Sequence, residues 1–337
     1  MPPLPADPDG LLADLDALRR FGAEGTGVAR RAFSDPDIAA RRWLAERMAA
    51  AGLSSVVDPC GNLFGLPPGD GPCLLVGSHS DSQPLGGWLD GAYGVCCGLA
   101  LARAVREAGG PPVAVVSFQD EEGRFGGLVG SAVWSGRMTL AEADALRDET
   151  GFGFAEARAH AAEIAAVDEI APARFSAFVE PHIEQGPALA EAGEAVGVGT
   201  AIVGVRMLTV RFEGQANHAG TTPMPLRRDA AQGLFDYAAR VNAALAPLAA
   251  PATVWTLGRA SLEPNAPSIV PGAATVTVQM RDAESRRLDA MREAARAAAE
   301  ATARDRGLSV SIEERTPLDP VAMNPGWIER LARGAEA

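Results

Sequence analysis

The fold is read from residues 73–122, CLLVGSHSDSQPLGGWLDGAYGVCCGLALARAVREAGGPPVAVVSFQDEE. The apolar run at 73–78 is a short strand. A helix follows at about 92–108 and stops at Gly109-Gly110, and PPVAVVSFQ (111–119) is a second buried strand. Upstream, Ala and Leu recur at helical spacing over 36–51 and Gly52 ends that helix. Downstream, alanine-rich helical stretches cover 139–147 and 155–167, and FSAFVE (175–180) is a third strand. Apolar strands separated by helices predict an α/β domain, a mostly parallel sheet with helices on both faces.

The rhythm changes at about residue 205. VRMLTVRFEG (205–214) alternates as a strand, a helix covers about 227–246, and strands follow at 252–260 and 274–282. A helix rich in arginine and alanine spans about 284–305, and LSVSIEE (308–314) closes as a strand. The order βαββαβ is the ferredoxin-like arrangement. The expected organisation is a first domain of 1–204 plus 316–337, with 205–315 inserted as a second, α+β domain.

The chain has 337 residues and a formal net charge of −13, from 30 basic and 43 acidic side chains. All the basic residues are arginine, which excludes lysine Schiff-base chemistry and a P-loop lysine. An acidic chain repels phosphate backbones, so nucleic acid is not an expected partner. No apolar run approaches the roughly 18 residues of a membrane helix, and no signal peptide is read at the start, so the expected home is the cytoplasm. Cys60, Cys73, Cys96 and Cys97 form no CxxC pair and read as reduced thiols in apolar surroundings. The four histidines are His79, His160, His182 and His218, and His160 reads as an ordinary helix-face residue.

The polar chemistry gathers at three strand ends. The first strand runs into His79-Ser80-Asp81 and then GGWLDG, which carries Asp90. The second runs into Asp120-Glu121-Glu122, and the third into Glu180-Pro181-His182-Ile183-Glu184-Gln185. Open α/β sheets bind ligands beyond the carboxyl ends of their strands. A lone histidine, an acidic triplet or a glycine-rich turn is ordinary by itself. Consecutive acids directly after a buried strand are costly unless a cation or partner compensates them. Two histidines and several carboxylates converging at such a place make a metal-site pattern of mixed nitrogen and oxygen ligands.

GSHSDSQPLGGWLDGAYGV (77–95), SFQDEEGRFG (117–126), VEPHIEQGPALAEAG (179–193) and NHAGTTPMPLRRDA (217–230) closely resemble zinc-dependent amidohydrolases of the M20 metallopeptidase clan. The branch most resembled is that of the N-carbamoyl-L-amino-acid hydrolases, β-ureidopropionases and allantoate amidohydrolases. The resemblance implies two divalent ions, zinc first, with manganese, cobalt or nickel as alternatives. It implies His79 and His182 as ligands of the first, Glu122 of the second, and Asp90 as the bridge. Asp81 would orient His79, and Glu121 would be the general base. It further implies a lid and dimerisation domain at 205–315 whose His218 stabilises the oxyanion across a homodimer. Gln185, Asn265 and Arg281 would contact a substrate bearing a carboxylate, the arginine through its fork. The implied reaction is hydrolysis of a linear amide or ureido bond, that of an N-carbamoyl-L-amino acid first, with allantoate, ureidoglycolate or β-ureidopropionate as alternatives. Two departures stand out. Ser268 replaces an asparagine of the resembled pattern, and no histidine follows His218, where a GHD-like segment would hold the last ligand of the second metal. The expectation is therefore a piece of a longer enzyme or, in another class, a dimeric binding protein without catalysis.

Overall fold

A computed structural model describes residues 4, 5 and 7–336, which form two compact units divided after Pro187. The first unit opens with α1 (Pro8–Arg19), capped by the Asp7 carboxylate on the amide of Gly10, 2.9 Å. Then come α2 (Asp35–Ala50), β1 (Ser54–Val57), β2 (Leu63–Leu66), β3 (Cys73–His79) and α3 (Ala92–Glu107). β4 (Val113–Phe118), α4 (Val129–Trp134), α5 (Leu140–Asp144), α6 (Phe154–Arg158), β5 (Ala166–Val167) and β6 (Phe175–Val179) complete it.

The six strands lie in the order β5-β1-β2-β4-β3-β6. β3 runs parallel to β4 and β6, and β1 parallel to β5, while β2 is antiparallel to both neighbours. Side chains alternate across the sheet. Val76, Val113 and Val115 face a core with Leu18, Leu44, Met48, Val95 and Leu99 of α1–α3. Leu75, Ala114 and Val116 face another with Phe64 and Phe118.

Two sequence expectations change here. The helix expected over 155–167 is α6, then a 3-10 turn at Ala159–Glu163, then β5. Helix propensity loses to sheet pairing: residues 166–167 add a parallel edge to 56–57, and the Asp168 amide donates to Val57 O, 3.0 Å. The helix expected at 139–147 shortens to Leu140–Asp144, started by a capping box between Thr139 and Glu142. α1, β1 and β2 had no counterpart in the sequence reading.

The second unit contains β7 (Gly204–Glu213), α7 (Ala230–Leu245), β8 (Val254–Glu263), β9 (Ala273–Asp282), α8 (Ser285–Arg306), β10 (Ser309–Glu314) and α9 (Pro325–Ala335). Its antiparallel sheet runs β8-β9-β7-β10, the ferredoxin-like order. Leu208, Val210 and Phe212 of β7 and Val276, Val278 and Met280 of β9 alternate into a core closed by α7 and α8. The flanking residues 201–202 pair with 321–322 and group with this unit. Among the described residues, no helix is long and apolar enough to cross a membrane.

Candidate metal centre

β4, β3 and β6 are adjacent, so their carboxyl ends lie side by side. That brings together groups far apart in sequence: His79 ends β3, Asp120-Glu121-Glu122 follow β4, and Glu180 to Gln185 follow β6. The loop leaving β3 returns through Asp90 to the start of α3, where Gly91 is the N-cap. Gly91 has φ +64, and a Cβ there would lie 2.4 Å from Cδ2 and Nε2 of His79. Only glycine lets the helix begin this close to the imidazole.

The His79 Nε2 atom faces the open side of the cluster, 3.5 Å from Glu121 Oε2 and 3.9 Å from Asp90 Oδ1. His182 Nε2 approaches the same Asp90 oxygen at 3.2 Å. On its other edge, His79 Nδ1 lies 3.1 Å from the Asp81 main-chain oxygen and 3.5 Å from Asp81 Oδ1. The fully buried Asp81 accepts from the Glu122 amide through Oδ2, 3.1 Å, while among the described residues its Oδ1 has no hydrogen-bond partner. Burial alone would raise Asp81; the neighbouring His79, then the charge of Arg41, hold it below the usual carboxylate range.

For His79, burial works to lower the pKa, but Asp81, Glu121 and Glu122 together push it up to about 9. Burial raises Glu121, with Asp81, Glu122 and Glu180 adding to it and His79 opposing. Asp120 is pushed up to about 7 by burial, then by Asp81.

The donor atoms of His79, Asp90 and His182 all lie within 4.8 Å of one another, and so do those of His79, Glu121 and Glu122. Two imidazoles and carboxylates suit zinc, manganese or cobalt. A carboxylate behind the histidine, as Asp81 stands behind His79, fixes the ring and leaves Nε2 free to bind. Among the described residues, none of Asp81, Asp90, Glu121 and Glu122 has an arginine ion pair, so this concentration of negative charge suits a bound cation.

The chain is 35% identical to an N-carbamoyl-L-amino-acid amidohydrolase of Paenarthrobacter aurescens over 341 residues, 96% of this chain and 81% of the relative. The chain belongs to the hydantoinase/carbamoylase family of amidohydrolases. An allantoate amidohydrolase of Escherichia coli is 32% identical over 95% of this chain and 80% of its own length. A crystal structure of a hydantoinase/carbamoylase family amidase from Burkholderia phymatum superposes with a TM-score of 0.87 at 41% identity, covering 99% of this chain and 84% of that one. No protein-family model matches the chain. As a member of this family, the chain is a hydrolase of carbon–nitrogen bonds other than peptide bonds.

Asp90, expected as the bridge between two ions, gathers with His79 and His182, and Glu122 gathers with Glu121 and the same His79. Gln185, expected on substrate, donates to Asp90 Oδ2 at 2.6 Å. Gln83 was not singled out, although it lies inside the 77–95 stretch; its side-chain amide donates to Glu122 O at 2.6 Å and to Glu122 Oε2 at 2.9 Å.

In the second unit, His218 sits on a two-residue strand paired with 269–270, and its Nδ1 accepts from the Gly220 amide at 3.0 Å. Asn265 has φ 55 in the turn after β8. Ser268 O accepts from the Ala219 amide at 3.0 Å, tying this loop to that of His218. Arg281 lies at the other end of β9, where its Nε donates to Gln279 Oε1, 3.0 Å. The stretch 273–281 of β9 is about 26 Å long at roughly 3.3 Å per residue. Within one chain, Asn265 and Arg281 therefore lie toward opposite ends of the sheet. His160 is exposed and paired with Glu163.

Proposed function

We propose that the chain hydrolyses the ureido bond of an N-carbamoyl-L-amino acid, giving the amino acid, carbon dioxide and ammonia. The observation that carries this reading is the cluster of His79, Asp90 and His182, with Glu121 3.5 Å from His79 Nε2. His79, Asp90 and His182 would hold one divalent ion, zinc first, and Glu122 would help hold a second. Such ions would polarise the carbonyl and lower the pKa of a bound water. Glu121 would accept the water's proton and return it to the leaving nitrogen. Asp81 orients His79, Gln185 orients Asp90 and Gln83 orients Glu122.

Residues 205–315, within the second unit, are the lid and dimerisation domain in this reading. Arg281 holds the substrate carboxylate with its fork. His218 and Asn265 serve the site of the neighbouring subunit, which fits their place at the opposite end of the sheet from Arg281. The exposed edge strand β8 is the surface for the homodimer. A cytoplasmic home fits the four free cysteines, of which Cys96 is pushed up to about 12 by burial.

The test measures metal content and ammonia release from N-carbamoyl-L-amino acids. His79→Ala loses metal and turnover, and Glu121→Gln keeps metal while kcat falls by about 100-fold or more. Equal metal content in wild type and His79→Ala refutes the metal assignment, and a Gln variant with near-normal kcat reassigns the base. The second reading, allantoate as substrate, is favoured by the 32% identity to the allantoate amidohydrolase. Comparing kcat/KM for the two substrates on one preparation decides between them.

A further inference from the structure

The two arginines buried most completely in the first unit are not used in the reading above. Arg30 is 1% exposed and Arg41 is 0% exposed. A buried guanidinium is costly unless its donors are met, so where those donors point is informative. Arg30 Nε donates to Ser80 O at 2.6 Å, and its Nη1 to Leu18 O at 2.7 Å and Phe21 O at 3.0 Å. Ser80 is the residue between His79 and Asp81. Arg41 Nη2 donates to Phe118 O at 2.7 Å and Nη1 to Ser117 O at 3.2 Å, while its Nε pairs with Asp37 at 3.1 Å. Phe118 is the last residue of β4, just before Gln119 and the acidic run.

The β3–β4 ladder stops at His79 and Phe118. Where that ladder ends, buried main-chain carbonyls need other partners. Ser80, Ser117 and Phe118 are buried, and the guanidinium forks supply donors to their carbonyls. The two strand ends are also linked by Ser117 Oγ donating to Ser80 Oγ, 2.9 Å. Two bonds from its backbone lock Arg30 to the loop: its amide donates to Ser82 Oγ at 3.0 Å, and the Ser82 amide donates to Arg30 O at 2.8 Å.

We propose that Arg30 and Arg41 are positioning residues of the metal centre, each holding the end of one ligand-bearing strand through backbone carbonyls beside the ligands. The proposal rests on the metal reading above. Lysine keeps the charge but lacks the fork that spans several carbonyls. Arg30→Lys and Arg41→Lys are therefore expected to loosen the centre.

The experiment measures cobalt(II) dissociation constants by chelator competition, with the visible cobalt band and the thermal midpoint, on the full chain. Wild type, His79→Ala, Arg30→Lys and Arg41→Lys are compared. The lysine variants are expected to bind cobalt about 10–100-fold more weakly, the scale for groups that orient ligands, with an altered band. A lower midpoint with unchanged dissociation constant and unchanged band means a role in folding alone, and overturns the proposal. Wild type that binds no cobalt, or binds it no better than His79→Ala, refutes the metal reading, and the proposal falls with it. If the lysine variants do not fold, amide exchange in wild type decides. Zinc(II) is expected to slow exchange of the Ser82 amide, and exchange unchanged by zinc overturns the proposal.

Discussion

Gly91→Ala tests how closely the start of α3 is fitted to the metal site. The new Cβ would sit 2.4–2.5 Å from three ring atoms of His79. Ordinary carbon contacts need about 3.5 Å, so the ring must retreat by about 1 Å. It has little room to do so, because His79 is 2% exposed and held from behind by Asp81. Metal sites tolerate ligand displacements of about 0.2 Å, and a misplacement of about 1 Å in a reacting group costs about 100-fold. We expect a loss of that order in metal affinity. Alanine at φ +64 also carries a left-handed backbone penalty of about 1–2 kcal/mol, independent of the clash. Gly109→Ala is the matched control: Gly109 has φ +63 at the other end of α3, and nothing lies within 4 Å of its added Cβ. Both variants should lose similar backbone stability in urea unfolding, and only Gly91→Ala should lose metal in chelator competition. Equal metal affinity in the two variants would refute the reasoning.

Other outcomes follow from the same geometry. Asp148 is held at about 2, against 3.8 when unperturbed: burial would raise it, but Thr150, Arg124 and the Phe152 amide bond its charged form. Its contribution, about 2 kcal/mol, is therefore fully present above pH 3.8 and lost as pH falls towards 2. The stability gap between wild type and Asp148→Ala in urea should narrow over that window, and a gap that is flat with pH counts against it. Mixed Glu121→Gln and His218→Ala subunits should regain part of the activity that each lacks alone, because one hybrid site then holds both intact groups. No recovery despite demonstrated heterodimers would place His218 within its own subunit. Arg281→Lys should raise KM for carboxylate substrates more than it lowers kcat, and an unchanged KM would leave Arg281 as a surface residue.

The sequence alone was enough to read the three strands that run into His79, Asp120 and Glu180, because buried strands are written as short apolar runs and the chain's polar chemistry follows directly after them. The βαββαβ order of the second unit was legible for the same reason, since alternation and helical spacing are local signals. Local signals could not show that residues 166–167 would leave a helical pattern to pair with β1, because that pairing is settled by a strand more than 100 residues away. They also could not show that Arg30 and Arg41 are buried. An arginine reads as surface until the fold brings unpaired carbonyls to it. The orientation of Asp90 by Gln185 and of Glu122 by Gln83, and the separation of Asn265 from Arg281 along β9, belong to the tertiary structure. Residue types and their order determine which groups can do chemistry, whereas distance and burial, which depend on how the strands pair, determine which of those groups meet.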